Sequence, residues 1–216
     1  MQIATWNLDR RLDSDGRALL MSVSADVLLL TEVPPDLVLE GYALTPPGAE
    51  MSRGQLYAAV ASRLDSVGPL RALACPHPAT TAAVVGETTY VSTVLPWTSA
   101  DGEHWPGESF SDRTVRCLET LRPFLADQLR LVWGGDWNHT LEGSLLGQTR
   151  AGRDLLGEIL DELRLVAPTR SQPRGTLAMC SIDHVAVRGP VLGVEHQSAS
   201  AGGRRLSDHD LYVVTV

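Results

Sequence analysis

Lysine is absent from this sequence of 216 residues, so all 18 of its basic residues are arginine. The 26 acidic residues outnumber them, and the formal net charge is -8 at pH 7. This balance argues against broad, non-specific binding to a nucleic-acid duplex, which depends on many contacts between basic side chains and phosphates. A few clustered arginines can still bind phosphate in a bidentate manner. The charge therefore favours a small or local phosphate-bearing ligand, without excluding DNA.

Cysteines are few, and long apolar runs are missing. Cys75, Cys117 and Cys180 are odd in number and lie far apart, so we predict buried free thiols in a reducing cytoplasm rather than disulfides or a structural zinc site. No apolar run approaches the roughly 18 residues that span a bilayer, and no basic stretch precedes an apolar one at the N-terminus. We expect a cytoplasmic protein with no membrane span, and no sequence feature indicates a protein partner.

The hydrophobic pattern predicts a single α/β or α+β domain over residues 1–216, because neither repeats nor linkers interrupt it. Eight short segments have the composition of strands. These are Ile3–Trp6, Val27–Leu30, Leu56–Ala61, Ala82–Val85, Tyr90–Leu95, Leu131–Trp133, Ile182–Val187 and Leu211–Val216. Gly86 and Glu87, between two of them, indicate a hairpin turn.

Three further segments predict helices, at Gly16–Val23, Ser111–Leu129 and Arg150–Leu163. The apolar face predicted for the second helix consists of Val115, Leu118, Leu121, Leu125 and Leu129. A loop of some fifteen residues precedes this helix and contains Trp97, His104, Trp105 and Phe110. Loops of this length in compact domains are often functional. The aromatic side chains are expected either to pack the loop onto the domain or to stack against a substrate.

Acidic, amide and histidine side chains recur where predicted strands end. They are Asn7, Glu32, Asp136, Asn138, Asp183, Asp208 and His209. Taken singly, each is explained by a turn or a helix cap. Together they supply what hydrolysis of a phosphate ester requires: oxygen ligands for a hard cation such as Mg²⁺, groups that orient a nucleophilic water, and donors that stabilise charge on the phosphoryl oxygens.

Five short motifs carry these residues: Thr-Trp-Asn at 5–7, Leu-Thr-Glu at 30–32, Gly-Asp-Trp-Asn at 135–138, Ile-Asp-His at 182–184 and Ser-Asp-His at 207–209. In type and order they resemble the endonuclease/exonuclease/phosphatase superfamily, which includes pancreatic deoxyribonuclease and exonuclease III. The resemblance extends over nearly the whole chain. It implies a four-layer α/β/β/α sandwich of two mainly antiparallel sheets with helices on the outer faces, and an active site along one edge.

The resemblance also implies a metal-binding role for Glu32, which should ligate Mg²⁺ (or Mn²⁺), with Asn7 and Asp208 close to the ion. Members of the superfamily usually carry a His or Tyr on the strand before the long loop, where this chain has Val94. We hypothesise that His104, Trp97 or Arg113 takes over that role.

The catalytic residues implied in the same way are Asp136, Asn138, Asp183 and His209. Asp136 should orient or deprotonate the attacking water, and Asn138 should hold the water and the phosphate. His209 should hydrogen-bond a phosphoryl oxygen, with Asp183 fixing its tautomer. His184 follows Asp183 on a strand, so it should point to the opposite face and be structural.

The predicted activity is metal-dependent hydrolysis of a phosphate ester by activated water, with phosphodiesters such as DNA or RNA favoured. A phosphatase acting on small or lipid-linked phosphates is the alternative, since the superfamily spans both classes. Trp97, Trp105 and scattered arginines that could stack bases and hold phosphates favour a nuclease, whereas the acidic charge and the short chain argue against one. A non-catalytic binding module is a third interpretation. A zinc hydrolase is disfavoured because the histidines lack ligand spacing.

Overall fold

The computed structural model describes residues 1–65, 68–145, 148–175 and 177–216. The strands, in chain order, are β1 (Gln2–Asn7), β2 (Val27–Val33), β3 (Tyr42–Leu44), β4 (Glu50–Ser52), β5 (Gln55–Arg63), β6 (Leu70–Leu73), β7 (Thr80–Val85), β8 (Thr88–Thr93), β9 (Leu131–Asp136), β10 (Pro173–Arg174), β11 (Leu177–Cys180), β12 (Asp183–Val187), β13 (Gly193–Gln197), β14 (Ser200–Ala201), β15 (Arg204–Arg205) and β16 (Leu211–Thr215). The helices are α1 (Ser14–Ser22), α2 (Phe110–Ala126) and α3 (Arg150–Glu162), with a 3-10 helix at Pro168–Ser171.

Two β-sheets form the centre of the structure. The larger sheet has the strand order β13-β16-β1-β2-β5-β3, and β4 also pairs with β5. The second sheet has the order β12-β9-β8-β7-β6. Among the strand pairs described, β1–β2 and β8–β9 are parallel and the rest are antiparallel. The pairs β10–β11 and β14–β15 form two small separate sheets.

Alternate side chains of the strands enter different apolar layers, as the two-residue period of a strand requires. In β1, Ile3 lies in the core between the two sheets, whereas Ala4 and Trp6 lie in the core beneath α1. A third core packs the second sheet against α2 and α3, which contribute Leu118 and Ile159 among others. Three cores between four layers confirm the predicted α/β/β/α sandwich.

All eight predicted strands and all three predicted helices are present, with shifted ends. The turn prediction is also confirmed: Gly86 and Glu87 join β7 to β8, and Gly86 has the positive φ of 61° that glycine adopts readily. The predicted helical face was wrong at Leu129, because α2 ends at Ala126 and leaves this side chain 90% exposed. Of the helices described, none is long and apolar enough to cross a membrane.

The three cysteines are free thiols, but only Cys117 is buried, whereas Cys75 and Cys180 are half-buried. Burial raises the pKa of the Cys117 thiol far above its usual range and that of Cys75 to about 11. Thiols with such pKa values stay protonated at neutral pH and are therefore weak nucleophiles. These two cysteines serve packing.

Gly134 and Gly135 lie in β9 where it is confined between β8 and β12. A Cβ atom on Gly134 would lie 2.4 Å from the carbonyl oxygen of His184, and one on Gly135 would lie 2.3 Å from that of Thr93. Both distances are far inside van der Waals contact, and backbone atoms cannot move aside as a flexible side chain can. The two glycines therefore allow β9 to lie close to β8 and β12 directly before Asp136, the last residue of the strand.

We expect Gly134→Ala to lower the free energy of unfolding by roughly 2 kcal/mol or more, because the added methyl group overpacks a rigid site. Gly157→Ala is the matched control: this glycine lies inside α3, and a Cβ atom added there would have no neighbour within 4 Å, so alanine should stabilise the helix by about 1 kcal/mol. Denaturant unfolding of both variants measures the difference. Equal midpoints for Gly134→Ala and the wild type would contradict the steric argument.

Candidate active site

Strand pairing brings the predicted site residues to one edge of the sandwich. The parallel β1–β2 pair places Asn7 opposite Thr31, next to Glu32. In the second sheet the antiparallel β9–β12 pair places Asp136 opposite Asp183. The segment before β16 is tied to β1 by two hydrogen bonds, from Trp6 Nε1 to the His209 carbonyl (3.1 Å) and from Ser207 Oγ to the Asn7 carbonyl (2.7 Å). Both sheets thus contribute to one site.

Hydrogen bonds join the side chains of this site into two adjacent groups. His209 Nδ1 lies 2.7 Å from Asp183 Oδ2, and the Asn7 amide nitrogen donates to Glu32 Oε1 at 2.9 Å and to Asp136 Oδ2 at 3.0 Å. His209 Nε2 lies 3.9 Å from Asp136 Oδ2, beyond hydrogen-bond distance. Asn7 therefore separates two carboxylates that would otherwise repel each other.

Hydrogen bonds hold both ends of the Asn7 side-chain amide. Its amide nitrogen faces the two carboxylates, while its Oδ1 accepts a hydrogen bond from the backbone N–H of Asp9 at 3.0 Å. A hard cation is bound through oxygen, and Asn7 Oδ1 keeps a second lone pair beside this one hydrogen bond. In this geometry Asn7 positions Glu32 and Asp136 and does not itself present an oxygen to them.

Glu32 lies in β2 with a positive φ of 50°, an uncommon backbone conformation for a residue with a side chain. Its Oε2 accepts a hydrogen bond from the amide of Gln55, at the start of β5. Burial is the main cause that raises the pKa of Glu32, and the nearby carboxylates of Asp136 and Asp208 raise it further, against the Asn7 hydrogen bond. A group of carboxylates that disfavour one another's charge is the environment that a divalent cation would relieve.

Asp136 is buried at the end of β9 and is held on both oxygens. Its Oδ1 accepts from the backbone N–H of Asn138 at 3.0 Å, and its Oδ2 accepts from Asn7. Burial raises the pKa of Asp136 to about 6, a rise that His209 opposes and Asp183 supports. A raised pKa makes this carboxylate a better proton acceptor than an ordinary aspartate.

Asn138, two residues further on, also has a positive φ, of 51°. Asparagine tolerates this left-handed region better than most residues do. Its Nδ2 donates to the Leu95 carbonyl at 2.9 Å, which fixes the side chain at the mouth of the site between β9 and the long loop. The amide oxygen takes no part in that bond.

His209 is only 5% exposed. Burial alone would lower its pKa, but the carboxylates of Asp183 and Asp136 outweigh burial and raise the pKa well above the usual value. The hydrogen bond from Nδ1–H to Asp183 leaves Nε2–H as the donor that faces the cleft. Asp183 Oδ1 is buried and has no hydrogen-bond partner among the described residues, so the negative charge of Asp183 is directed mainly at His209.

Asp208 is the exposed member of the site, with its side chain 74% exposed and its Oδ2 3.9 Å from His209 Nε2. It lies at the rim of an open cleft of about 440 Å³. The cleft is lined by Arg10, Glu32, Met51, Ser52, Gln55, Trp97, Asp136, Asn138, Arg174, Asp208 and His209. The sequence motifs did not indicate Arg10, Ser52, Gln55 or Arg174, which reach the cleft through strand pairing and turns.

The long loop contributes one of its candidates to the cleft. Trp97 is half-buried and lines it, whereas His104 and Arg113 line a different pocket. Val94 is fully buried. Trp105 is 3% exposed and packs edge-on against Tyr57 and Trp97, so of the two alternatives for the loop aromatics, Trp105 follows the packing one.

His184 is confirmed as a structural residue on the opposite face of β12. It is fully buried, with its ring nitrogens bonded to Thr169 Oγ1 and to the His139 carbonyl. His139 is buried as well and bonds Thr149 Oγ1. Burial is the main cause that lowers the pKa of both histidines, to about 3 for His184, so both remain neutral.

Two sets of ligands in this site could hold a metal ion. Asp136, Asp183 and His209 each offer an atom within 4.8 Å of the others, but all three are buried and His209 Nδ1 is bonded to Asp183. Glu32 and Asp208 instead face the open cleft. A hydrated Mg²⁺ keeps several water ligands and uses one or two carboxylates, so Glu32 and Asp208 suit it better than the buried group does.

Solved structures share this fold over the whole chain. An AP endonuclease from Archaeoglobus fulgidus superposes with a TM-score of 0.73 at 19% identity, covering 100% of this chain and 98% of the other. A 3' phosphatase from Neisseria bound to a product DNA hairpin gives 0.69 at 18% identity, covering 100% and 98%. An endonuclease/exonuclease/phosphatase from Beutenbergia cavernae gives 0.67 at 17% identity, covering 99% of this chain and 70% of the other.

These likenesses concern structure, since no protein-family model matches the sequence and no curated protein gives a significant match. At identities below one fifth, the superpositions establish the fold alone, an α/β sandwich that this chain shares with these proteins. The predicted resemblance is confirmed at this level. A fold alone does not determine activity, which depends on the side chains of the site.

Proposed function

We propose that the chain is a divalent-cation-dependent phosphoesterase that hydrolyses phosphodiester bonds by in-line attack of water. The observation that carries the proposal is the hydrogen-bonded network in which Asn7 joins Glu32 to Asp136, beside the His209–Asp183 pair. It combines an acidic group open to the cleft, a buried carboxylate with a raised pKa, and a protonated imidazole. The structural neighbours, an AP endonuclease and a 3' phosphatase bound to a product DNA hairpin, agree with this class.

In the proposed reaction Asp136 is the general base. Its carboxylate accepts a proton from the attacking water, whose oxygen forms a bond to phosphorus as the bond to the leaving oxygen breaks. A proton from solvent neutralises the leaving alkoxide. The backbone N–H of Asn138 holds the carboxylate in position, and the side chain of Asn138 is assigned to the water and the phosphate.

The imidazolium of His209 stabilises the negative charge that develops on the phosphoryl oxygens. Its Nε2–H is the donor aimed at the cleft because Nδ1–H is bonded to Asp183. A preformed donor of this kind needs no reorganisation during the reaction, which is why such groups contribute strongly to catalysis.

Glu32 and Asp208 are proposed to hold Mg²⁺ or Mn²⁺, with Asn7 and Gln55 holding the Glu32 carboxylate through its two oxygens. When bound, the cation supplies positive charge to the phosphoryl group. Both residues that hold it line the same cleft as Asp136 and His209. Trp97 lines that cleft too and offers an apolar surface for a base or another flat group of the substrate.

The test is turnover of a small panel by the purified protein: plasmid DNA, single-stranded DNA, RNA, bis-p-nitrophenyl phosphate and a phosphomonoester, each with Mg²⁺, Mn²⁺ or EDTA. We expect diester hydrolysis with Mg²⁺ or Mn²⁺ and none with EDTA. Hydrolysis of the phosphomonoester alone would mean that the chain is a phosphatase and not a diesterase. Absence of metal-dependent turnover on every substrate would refute the proposed activity.

Glu32→Gln tests the metal assignment separately. The neutral amide removes one negative charge from the cation site, so we expect the Mg²⁺ concentration for half-maximal rate to rise about tenfold or more. Mg²⁺ titrations of the rate measure this shift. Glu40→Gln, at an exposed position that does not line the cleft, is the matched control and should titrate as the wild type does. An unshifted titration for Glu32→Gln would exclude Glu32 as a ligand.

A further inference from the structure

A second open groove, of about 490 Å³, lies beside the catalytic cleft. It is lined by Asp9, Arg11, Arg174, Gly175, Arg205, Ser207 and Asp208. Arg174 and Asp208 line both spaces, so the groove and the cleft adjoin. We call the site formed by Arg11, Arg174 and Arg205 the arginine groove. Its charge is local, since the chain as a whole is acidic.

A buried carboxylate holds the arginine groove together. Asp210 is 1% exposed and accepts four hydrogen bonds, from the backbone N–H groups of Gly175 (2.8 Å) and Ala199 (3.0 Å) and from the side chains of His196 (2.7 Å) and Arg205 (2.6 Å). Gly175 directly follows Arg174, and Arg205 lies in β15. The buried Asp210 carboxylate therefore fixes the two segments that carry Arg174 and Arg205. Side chains held in this way are typical of a binding site and not of a solvated surface.

The three arginines differ in whether they form ion pairs within the protein. Arg11 is paired with Asp9 at 2.7 Å and Arg205 with Asp210, whereas Arg174 makes no ion pair with any described residue. A guanidinium carries five donor hydrogens, so Arg11 and Arg205 keep free donors after one carboxylate contact. Arg174, at the junction with the catalytic cleft, has both its charge and its donors available for an anion.

We propose that the arginine groove binds the phosphate next to the scissile one, and that the substrate is therefore a nucleic-acid strand. This inference rests on the proposed phosphodiesterase activity and specifies its substrate. An isolated diester has one phosphate and would leave the groove empty, whereas a strand carries a phosphate on every nucleotide. The lining is polar and charged, which suits a sugar-phosphate backbone and not the acyl chains of a lipid.

The test compares two trinucleotides of DNA that are identical except that one linkage is a phosphodiester in the first and a neutral methylphosphonate in the second. Cleavage at the other, shared linkage is measured, and the neutral linkage is placed on either side in separate substrates. We expect wild-type kcat/KM to be about tenfold higher with the charged linkage in one of the two placements, the factor for one charge-assisted contact.

Arg174→Gln and Arg11→Gln should each abolish most of that preference for the charged linkage. Arg71→Gln is the control, because Arg71 is exposed in β6 at the edge of the second sheet, and it should keep the preference. The logarithm of the binding constant for longer single strands falls linearly with the logarithm of the salt concentration. Each arginine variant should make this slope shallower by about 0.7.

Equal wild-type rates on the charged and neutral trinucleotides would overturn the inference, as would variants that keep the preference. Hydrolysis of bis-p-nitrophenyl phosphate without cleavage of any trinucleotide would also overturn it, while leaving the proposed diesterase intact. If neither substrate is cleaved, the proposed function fails and the inference fails with it.

Discussion

Asp136→Asn is expected to lower kcat roughly a thousandfold at saturating Mg²⁺, within the range that loss of a general base produces. Asparagine has nearly the shape of aspartate but cannot accept a proton from water. The backbone N–H of Asn138 can still bond the remaining carbonyl oxygen, whereas the new NH₂ group would face the amide nitrogen of Asn7. The main loss is therefore chemical, with a smaller contribution from the weakened bond to Asn7.

A measurement of thermal stability distinguishes loss of the general base in Asp136→Asn from unfolding of the variant. Burial raises the pKa of Asp136, so the ionised carboxylate is less favourable in the folded chain than in water. Its replacement by a neutral amide should leave the thermal midpoint at or above that of the wild type. Asp154→Asn, on the exposed side of α3, is the matched control and should retain full activity. An Asp136→Asn variant that keeps more than a tenth of the wild-type rate would remove Asp136 as the base.

The central strands were predictable because their side chains alternate between two apolar layers. β1 and β2 carry that signal within a few residues, as Ile3 and Trp6 illustrate by entering different cores. β13 (Gly193–Gln197) was not predicted: its side chains are half-buried or exposed without alternation. It is a strand because it pairs with the edge of β16, and that pairing is a tertiary contact which no local pattern encodes.

The site was predictable where its residues stand in short motifs at strand ends. Gln55 and Arg174 belong to no such motif. Gln55 reaches Glu32 only because β5 pairs antiparallel with β2, and Arg174 reaches the cleft from the short strand β10. The orientation of the Asn7 amide was also beyond the sequence, because it depends on a hydrogen bond that the backbone N–H of Asp9 donates to Asn7 Oδ1.

The two tryptophans of the long loop illustrate the same limit. Trp97 and Trp105 have equal hydrophobicity and similar sequence surroundings, yet Trp97 lines the cleft and Trp105 is buried. Packing makes the difference, since Trp105 contacts Tyr57 of β5 and His77, which precedes β7. The sequence left packing and substrate stacking as equal alternatives, and the structure assigns packing to Trp105.

Asp183→Asn is the second substitution with a large expected effect, a fall in kcat of about a hundredfold to a thousandfold. Asp183 does not face the substrate in the proposed reaction; it acts through His209, to which it is bonded at 2.7 Å. Asparagine removes the negative charge and allows its NH₂ group to face Nδ1, which would favour the wrong tautomer. The donor aimed at the phosphoryl oxygen would then be lost or weakened.

Titration of His209 by NMR in the metal-free protein distinguishes this role from a structural one. In the wild type, Asp183 and Asp136 outweigh burial and raise the pKa of His209, so the ring should stay protonated well above neutral pH. Loss of the Asp183 charge removes the larger of these two contributions while burial remains. The pKa of His209 should therefore fall in Asp183→Asn, and the ring should lose its proton at lower pH than in the wild type.

A double-mutant cycle completes the argument, because coupled residues give non-additive effects. If Asp183 acts only by orienting and charging His209, then Asp183→Asn should cost little further activity in a His209→Ala background, although it costs at least a hundredfold alone. Additive losses in the cycle would mean that Asp183 has a catalytic role of its own. Its buried Oδ1, which has no partner among the described residues, would then be the atom to assign.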